Sequence, residues 1–138
     1  MSVERKATCS CGQLSIRVEG EPTMVTACNC LACQRRTGSV LGVSSYFRDE
    51  LVIEKTGNST TYSRSGDSGL GGEACFCPNC GSTVYWSAEF MKNHTGIAVG
   101  CFADPDFPEP QVTVWNTSKH KWVSYPNAWA SSDTQYFK

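Results

Sequence analysis

Eight of the nine cysteines in this chain fall into three tight clusters, Cys9/Cys11, Cys28/Cys30/Cys33 and Cys75/Cys77/Cys80. A ligand pair one or two residues apart lets a short turn or strand aim two thiolates at one ion, so two such clips complete a tetrahedral zinc sphere. Any fold for this sequence must bring sulfurs distant in the chain together. The clusters hold more thiols than a single tetrahedral ion uses, so more than one site is expected.

The segment Cys77-Pro78-Asn79-Cys80-Gly81 reads as a zinc knuckle: the turn points both sulfurs at one ion, and the glycine permits a left-handed backbone. It supplies two ligands only. The nearest unassigned pair is Cys9/Cys11, whose spacing puts both side chains on one face of an extended segment. A closed four-thiolate site built from these two clips would tie the N-terminus to the middle of the chain. The third thiol of that cluster, Cys75, leaves the ligand choice open, because Cys75 and Cys77 can share a strand face.

Cys28, Cys30 and Cys33 place three thiolates within one turn, and a zinc with three protein ligands keeps a fourth position for water or substrate. Three thiolates around a divalent ion leave a net negative charge, which makes a weak Lewis acid and a good dock for another thiol. Arg35 and Arg36, just downstream, can offset that charge or hold a substrate carboxylate. The alternative for the arginines is a solvated helix face. The alternative for the triple is a second structural zinc completed by Cys75 or a histidine, although His94 and His120 both sit in polar surroundings and read as surface residues. Cys101 stands alone in an apolar run and reads as a core thiol.

Composition bounds the rest. A chain of 138 residues is expected to be one domain, here residues 1–138 with a core over about 5–123 and a tail over 124–138, large enough for a core yet small enough to gain from a structural metal. No apolar run approaches a membrane span. Met1 to Lys6 lacks the apolar stretch of a secretory signal, and the cysteine count is odd. Both point to a reducing, cytoplasmic setting, where clustered cysteines hold metal or do redox chemistry rather than form disulfides. A formal net charge of -1 with no basic stripe argues against nucleic acid as a partner.

The chain reads as all-β. Leu14, Ile16 and Val18 alternate with Ser15, Arg17 and Glu19, the pattern of a half-buried strand. Further strands are expected at Met24 to Ala27, Val40 to Phe47, Leu51 to Lys55, Thr60 to Ser63, Thr83 to Trp86, Gly96 to Cys101 and Val112 to Trp115. The one helical stretch runs from Leu31 to Thr37 and is stopped by Gly38. Ser65 to Gly72 reads as a mobile loop, and Asp104 to Pro110 as a rigid connection. The tail carries Tyr125, Trp129, Tyr136 and Phe137; folding over the core, lining a pocket and pairing two chains into a homo-oligomer are all open to it.

In this order the motifs Cys9-Ser-Cys-Gly-Gln, Cys28-Asn-Cys-Leu-Ala-Cys, Thr37-Gly-Ser, Cys77-Pro-Asn-Cys-Gly-Ser and Val99-Gly-Cys-Phe-Ala-Asp-Pro, followed by Trp115 and Trp122, resemble the glutathione-dependent formaldehyde-activating enzyme family, which includes the domain of centromere protein V. The resemblance implies a β-tent fold, with two antiparallel sheet layers pinned by a structural zinc on Cys9, Cys11, Cys77 and Cys80. It implies a second, catalytic zinc on Cys28, Cys30 and Cys33, hence two zinc ions per chain. The implied activity is that of a carbon-sulfur lyase in reverse, joining formaldehyde to the glutathione thiol to give S-hydroxymethylglutathione. The partners implied are thus a small thiol and an aldehyde, with Arg35, Arg36 and Lys121 as candidates for the thiol's carboxylates. Asn29 departs from the family pattern, where histidine is common, and Cys75 is an extra thiol. Two other readings compete: a zinc-stabilised binding or scaffold module without catalysis, and a type B methionine sulfoxide reductase, for which Cys101 would have to be a reactive free thiol.

Overall fold

The computed structural model describes residues 3–65 and 71–135. The strands are β1 (Glu4–Thr8), β2 (Ser15–Glu19), β3 (Met24–Cys28), β4 (Gly42–Arg48), β5 (Val52–Thr56), β6 (Thr60–Ser65), β7 (Gly71–Phe76), β8 (Thr83–Ala88), β9 (His94–Ala98), β10 (Val112–Val114) and β11 (Ala130–Ser131), with one α-helix, α1 (Leu31–Thr37), among the described residues. They form two sheets, one in the order β1-β2-β5 and one in the order β11-β10-β3-β4-β9-β8-β7-β6. This is the all-β, two-sheet architecture expected. Pairing is antiparallel except at β10, which runs parallel to both β3 and β11. Among the described residues no helix is long and apolar enough to cross a membrane.

The two sheets meet through the residues that alternation picks out. Leu14, Ile16 and Val18 are fully buried and join one core cluster with Val25, Phe47, Val84 and Ile97 of the larger sheet, while Glu19 on the opposite face is exposed. Burying a side chain of this kind contributes about 1.5–3 kcal/mol, and β1 adds Ala7 to the same cluster and packs on the Val99–Phe102 turn. α1 starts at Cys30, whose sulfur accepts a hydrogen bond from the Cys33 N–H, and ends at Gly38, which takes φ 71°. Seven residues are too few for a helix to persist alone in water. Packing against β4 holds it.

Three features differ from the sequence reading. The run Gly96 to Cys101 is strand only as far as Ala98; Val99–Phe102 winds into a 3₁₀ turn closed by Ala103 at φ 50°. That turn delivers Phe102 to the core against Phe47 and Phe107, with ring centroids 6.2 and 4.7 Å away, and it lifts Cys101 out of the sheet. Ser65, Gly71 and Gly72 belong to a hairpin rather than a loop, paired in the register Arg64↔Gly72 and Ser65↔Gly71; residues 66–70 lie outside the described residues. The third feature is β1, β7 and β11, strands without apolar alternation that pair along sheet margins or next to the cysteine turns.

One backbone approach within the small sheet, beside the Ser15↔Thr56 end of the β2–β5 pair, leaves no room for a side chain. Gly57, at φ +97°, sits so close to the Gln13 carbonyl that an added Cβ would lie 1.9 Å from its oxygen. Gly57→Ala is expected to lower unfolding free energy by about 2–4 kcal/mol, combining left-handed strain with overpacking. The midpoint of a denaturant titration checks it.

Candidate functional site

The turn after β1 carries Cys9 and Cys11, and the turn after β7 carries Cys77 and Cys80. The fold brings these four sulfurs within 4.8 Å of one another. Cys9 and Cys11 are 3.6 Å apart and Cys11 and Cys77 are 3.7 Å apart, too far for a disulfide. A tetrahedral zinc with four sulfurs at about 2.3 Å places them about 3.8 Å from each other, so the donor set fits that ion. The turns support the sulfurs with N–H groups: Leu14 N–H donates to Cys9 Sγ over 3.3 Å, Asn79 N–H to Cys77 Sγ over 3.3 Å and Gln13 Nε2 to Cys77 Sγ over 3.0 Å. Such bonds favour the thiolate. The Cys80 thiol is held down at about 5, first by its hydrogen bonds with Ser82 and then by the backbone of Cys11. Ser10 and Ser82 bridge the same two turns, Oγ to Oγ at 3.0 Å.

The second group, Cys28, Cys30 and Cys33, also lies within 4.8 Å. Cys28 ends β3, Cys30 caps α1 and Cys33 lies in its first turn, so one strand-to-helix junction presents all three. Hydrogen bonds from Cys28 and Cys30, with the Arg36 charge adding to them, hold the Cys33 thiol down at about 3. The Cys28 thiol is driven far up by its bonds with Cys30 and Cys33 and by burial. Three thiolates gathered out of water repel one another unless a cation sits among them. The sulfur-only donor set therefore fits a soft or borderline ion.

All three sulfurs line a cavity of about 130 Å³, whose walls include Arg36, Tyr46, Trp86, Phe90, Trp115 and Gln135. Tyr46 is buried, and desolvation pushes its hydroxyl up to about 12, so it stays a neutral donor. Trp115 adopts φ 57°, a strained choice for a bulky residue, and its indole N–H donates to Gln135 Oε1 over 2.9 Å. Arg35 points to solvent, and neither it nor Lys121 lines the cavity.

Asn29, between the first two cysteines of the triple, is fully buried. Its amide nitrogen donates to Thr113 Oγ1, to the Val114 carbonyl and to Asn116 Oδ1 over 3.1, 2.9 and 2.7 Å, while its oxygen accepts from the Tyr125 hydroxyl. The Cys28–Cys30 link is thereby bolted to β10 and to the tail. Trp129 Nε1 donates to Glu109 Oε2 over 2.8 Å, and β11 pairs with β10. Of the three uses open to the tail, pocket lining is the one the described residues show, with Gln135 at the cavity wall and β11 added at the sheet edge beside β10. Tyr136 and Phe137 lie outside the described residues.

A sequence model described as the glutathione-dependent formaldehyde-activating enzyme matches residues 4–118. The chain belongs to this family. A crystal structure of a Rhodobacter sphaeroides protein is similar in fold, with a TM-score of 0.58 at 23% identity, covering 76% of this chain and 96% of that one. No curated protein matches the chain. Family membership supports a glutathione-dependent, aldehyde-activating function in general terms.

Within this family member's fold the remaining cysteines stand apart. Cys75 is half-buried on β7 with Thr61 Oγ1 at 3.9 Å and joins neither sulfur group. His94 bonds Thr23 and the Lys92 carbonyl, and His120 bonds Gln34; neither joins a sulfur group. Cys101 points its thiol at the Thr83 carbonyl, 3.6 Å away, and burial raises it, the setting of an inert thiol. Sequence reasoning missed Tyr46, Trp86 and Phe90, which sit in ordinary strand or turn positions, and the anchoring role of Asn29.

Asn29→Ala removes one partner from each of these buried bonds and is expected to destabilise the fold by about 2–4 kcal/mol. It should also release the tail. Limited proteolysis is expected to cut first near Tyr125 in the variant, with the wild-type tail resistant.

Proposed function

We propose that the protein is a carbon-sulfur lyase-type enzyme that joins a small thiol, glutathione or a close analogue, to an aldehyde, formaldehyde in the simplest case. What supports this is the convergence of Cys28, Cys30 and Cys33 on a cavity wall, a group that no fourth His, Cys, Asp or Glu joins among the described residues. In this reading Cys9, Cys11, Cys77 and Cys80 would hold a zinc that fastens the fold, and Cys28, Cys30 and Cys33 would hold a second at the cavity wall. A zinc there supplies a coordination position that lowers the pKa of an incoming thiol. The nine cysteines, all unpaired, fit a reducing, cytoplasmic setting.

The chain's own residues then act by placement. The cavity admits the thiol arm and a one-carbon aldehyde beside it, and its aromatic walls, Tyr46, Trp86 and Phe90, limit water. The substrate sulfur forms a bond to the aldehyde carbon, the carbonyl π pair moves to oxygen, and that oxygen takes up the proton the thiol gave up. The reverse sequence is the lyase direction. Thiol addition to formaldehyde is already facile, so acceleration comes chiefly from holding two reactants together.

Two variants separate this enzyme from a zinc-stabilised scaffold. Cys80→Ala is expected to aggregate or unfold, because structural zinc supplies about 10–16 kcal/mol of folding free energy. Cys30→Ala is expected to stay folded by circular dichroism, and its rate of adduct formation from glutathione and formaldehyde, followed by exchange NMR, is expected to fall to that of buffer. Wild-type protein no faster than buffer would leave the scaffold reading standing. Equal loss of fold in both variants would abolish the division between the two sites.

A further inference from the structure

Arg36 is held in a way that Arg35 is not. Its guanidinium carbon lies 4.7 Å from the centroid of the Trp86 ring, a cation-π contact in which a planar fork lies on an indole face. Trp86 in turn occupies space that exists only because residue 96 is glycine. A Cβ there would lie 2.1 Å from Trp86 Nε1 and 2.6 Å from two further ring atoms. The same indole nitrogen donates toward the Tyr46 hydroxyl over 3.4 Å, which fixes the ring's rotation. On the other side, an added Cβ at Gly42 would lie 2.7 Å from Arg36 Nη2 and 3.3 Å from Cys33 Cβ. The absent side chain at Gly96 on β9 therefore makes the room in which the Trp86 ring lies, and Gly42 on β4 leaves space beside the Arg36 fork that stacks on it.

Among the described residues, the ion pairs are formed by Arg5 and Arg17, and no carboxylate pairs with Arg36. The guanidinium already acts on the Cys33 sulfur, but it carries five N–H donors, so stacked by its face it still offers an edge to a further acceptor in the plane, and a carboxylate is the acceptor that matches two of them. The charge stands at the wall that also carries the three sulfurs, within reach of whatever is joined to a docked thiol.

We infer that Arg36 reads a carboxylate of the thiol substrate, and that Trp86, with the space left by Gly96 and Gly42, is the platform that positions it. The inference rests on the thiol-binding reading above and narrows it to acidic thiols. Neutral thiols of the same size are poor substrates, and Arg35, facing solvent, takes no part. Trp86, Gly96 and Gly42 act through Arg36 and touch no reacting atom.

The test uses the zinc-loaded protein, with binding measured by calorimetry for glutathione, its diethyl ester and S-methylglutathione, and KM and kcat measured separately for the first two. Wild type is expected to bind glutathione about 10- to 100-fold more tightly than the ester, the range of a charge-assisted bidentate contact. Arg36→Met is expected to erase that gap, weakening glutathione and S-methylglutathione alike and the ester by less than about threefold. Arg36→Lys should recover only part of it, since charge returns without the fork. Trp86→Ala and Gly96→Ala should raise KM for glutathione without a matching fall in kcat, and Trp86→Phe should restore most of what Trp86→Ala loses. Arg36→Met, on a half-buried helix position, carries the test even if Gly96→Ala does not fold. Equal affinity of wild type for glutathione and its ester, or an Arg36→Met protein that keeps the gap, overturns the Arg36 assignment alone. Failure of wild type to bind any of the thiols overturns the thiol reading and this inference with it.

Discussion

Four sulfurs at the junction of the two sheets are the contact on which the rest of the structure depends. Cys9 and Cys11 sit in the turn after the first strand of the small sheet, Cys77 and Cys80 in the β7–β8 turn of the large one, and their Sγ atoms lie within 4.8 Å of one another. A three-stranded sheet with one apolar face is marginal by itself. An ion held by the four sulfurs would clamp its turn to that of its neighbour, beside the contact where Leu14, Ile16 and Val18 meet Phe47, Val84 and Ile97. Gln13 extends the clamp, bonding Cys77 on one side and Asn58 on the other.

The same large sheet carries the candidate chemical site. Strand β8, which leaves the Cys77/Cys80 turn, carries Val84 into the core and Trp86 to the cavity. Strand β3, in the middle of the same sheet, ends at Cys28, and the helix that follows adds Cys33 and Arg36. The two sulfur groups are thus mechanically linked although they share no residue. One gathers sulfurs from the turns of both sheets; the other lies on the cavity wall. Asn29 completes the arrangement from the far edge, where the parallel strand β10 and the tail are tied to the link between the first two cysteines of the triple.

What could be read from the sequence was whatever depends on local spacing. The alternation from Leu14 to Val18, the cysteine clips, and the helix from Leu31 to Thr37 with its glycine stop all reappear in the structure. Strands whose pairing is set by their neighbours were not legible. β1 reads Glu-Arg-Lys-Ala-Thr, with no apolar period, and is a strand through its backbone pairing with β2 from Glu4↔Glu19 to Thr8↔Ser15. β7 begins with two glycines and contains Cys75, which on sequence alone look like loop and ligand. The parallel course of β10 and the slot formed by Gly42, Gly96, Trp86 and Arg36 join residues from separate strands and a helix, and no periodicity encodes such a meeting.

The central claim is that one group of sulfurs closes around an ion while the other leaves a side of its ion facing the cavity. Zinc content of the protein purified without chelator, combined with X-ray absorption at the zinc edge, tests it most directly. Two equivalents of zinc per chain are expected, with an average of between three and four sulfurs each, and the average should rise when glutathione is added. A single equivalent, or two ions that each already carry four sulfurs and do not respond to the thiol, would contradict it.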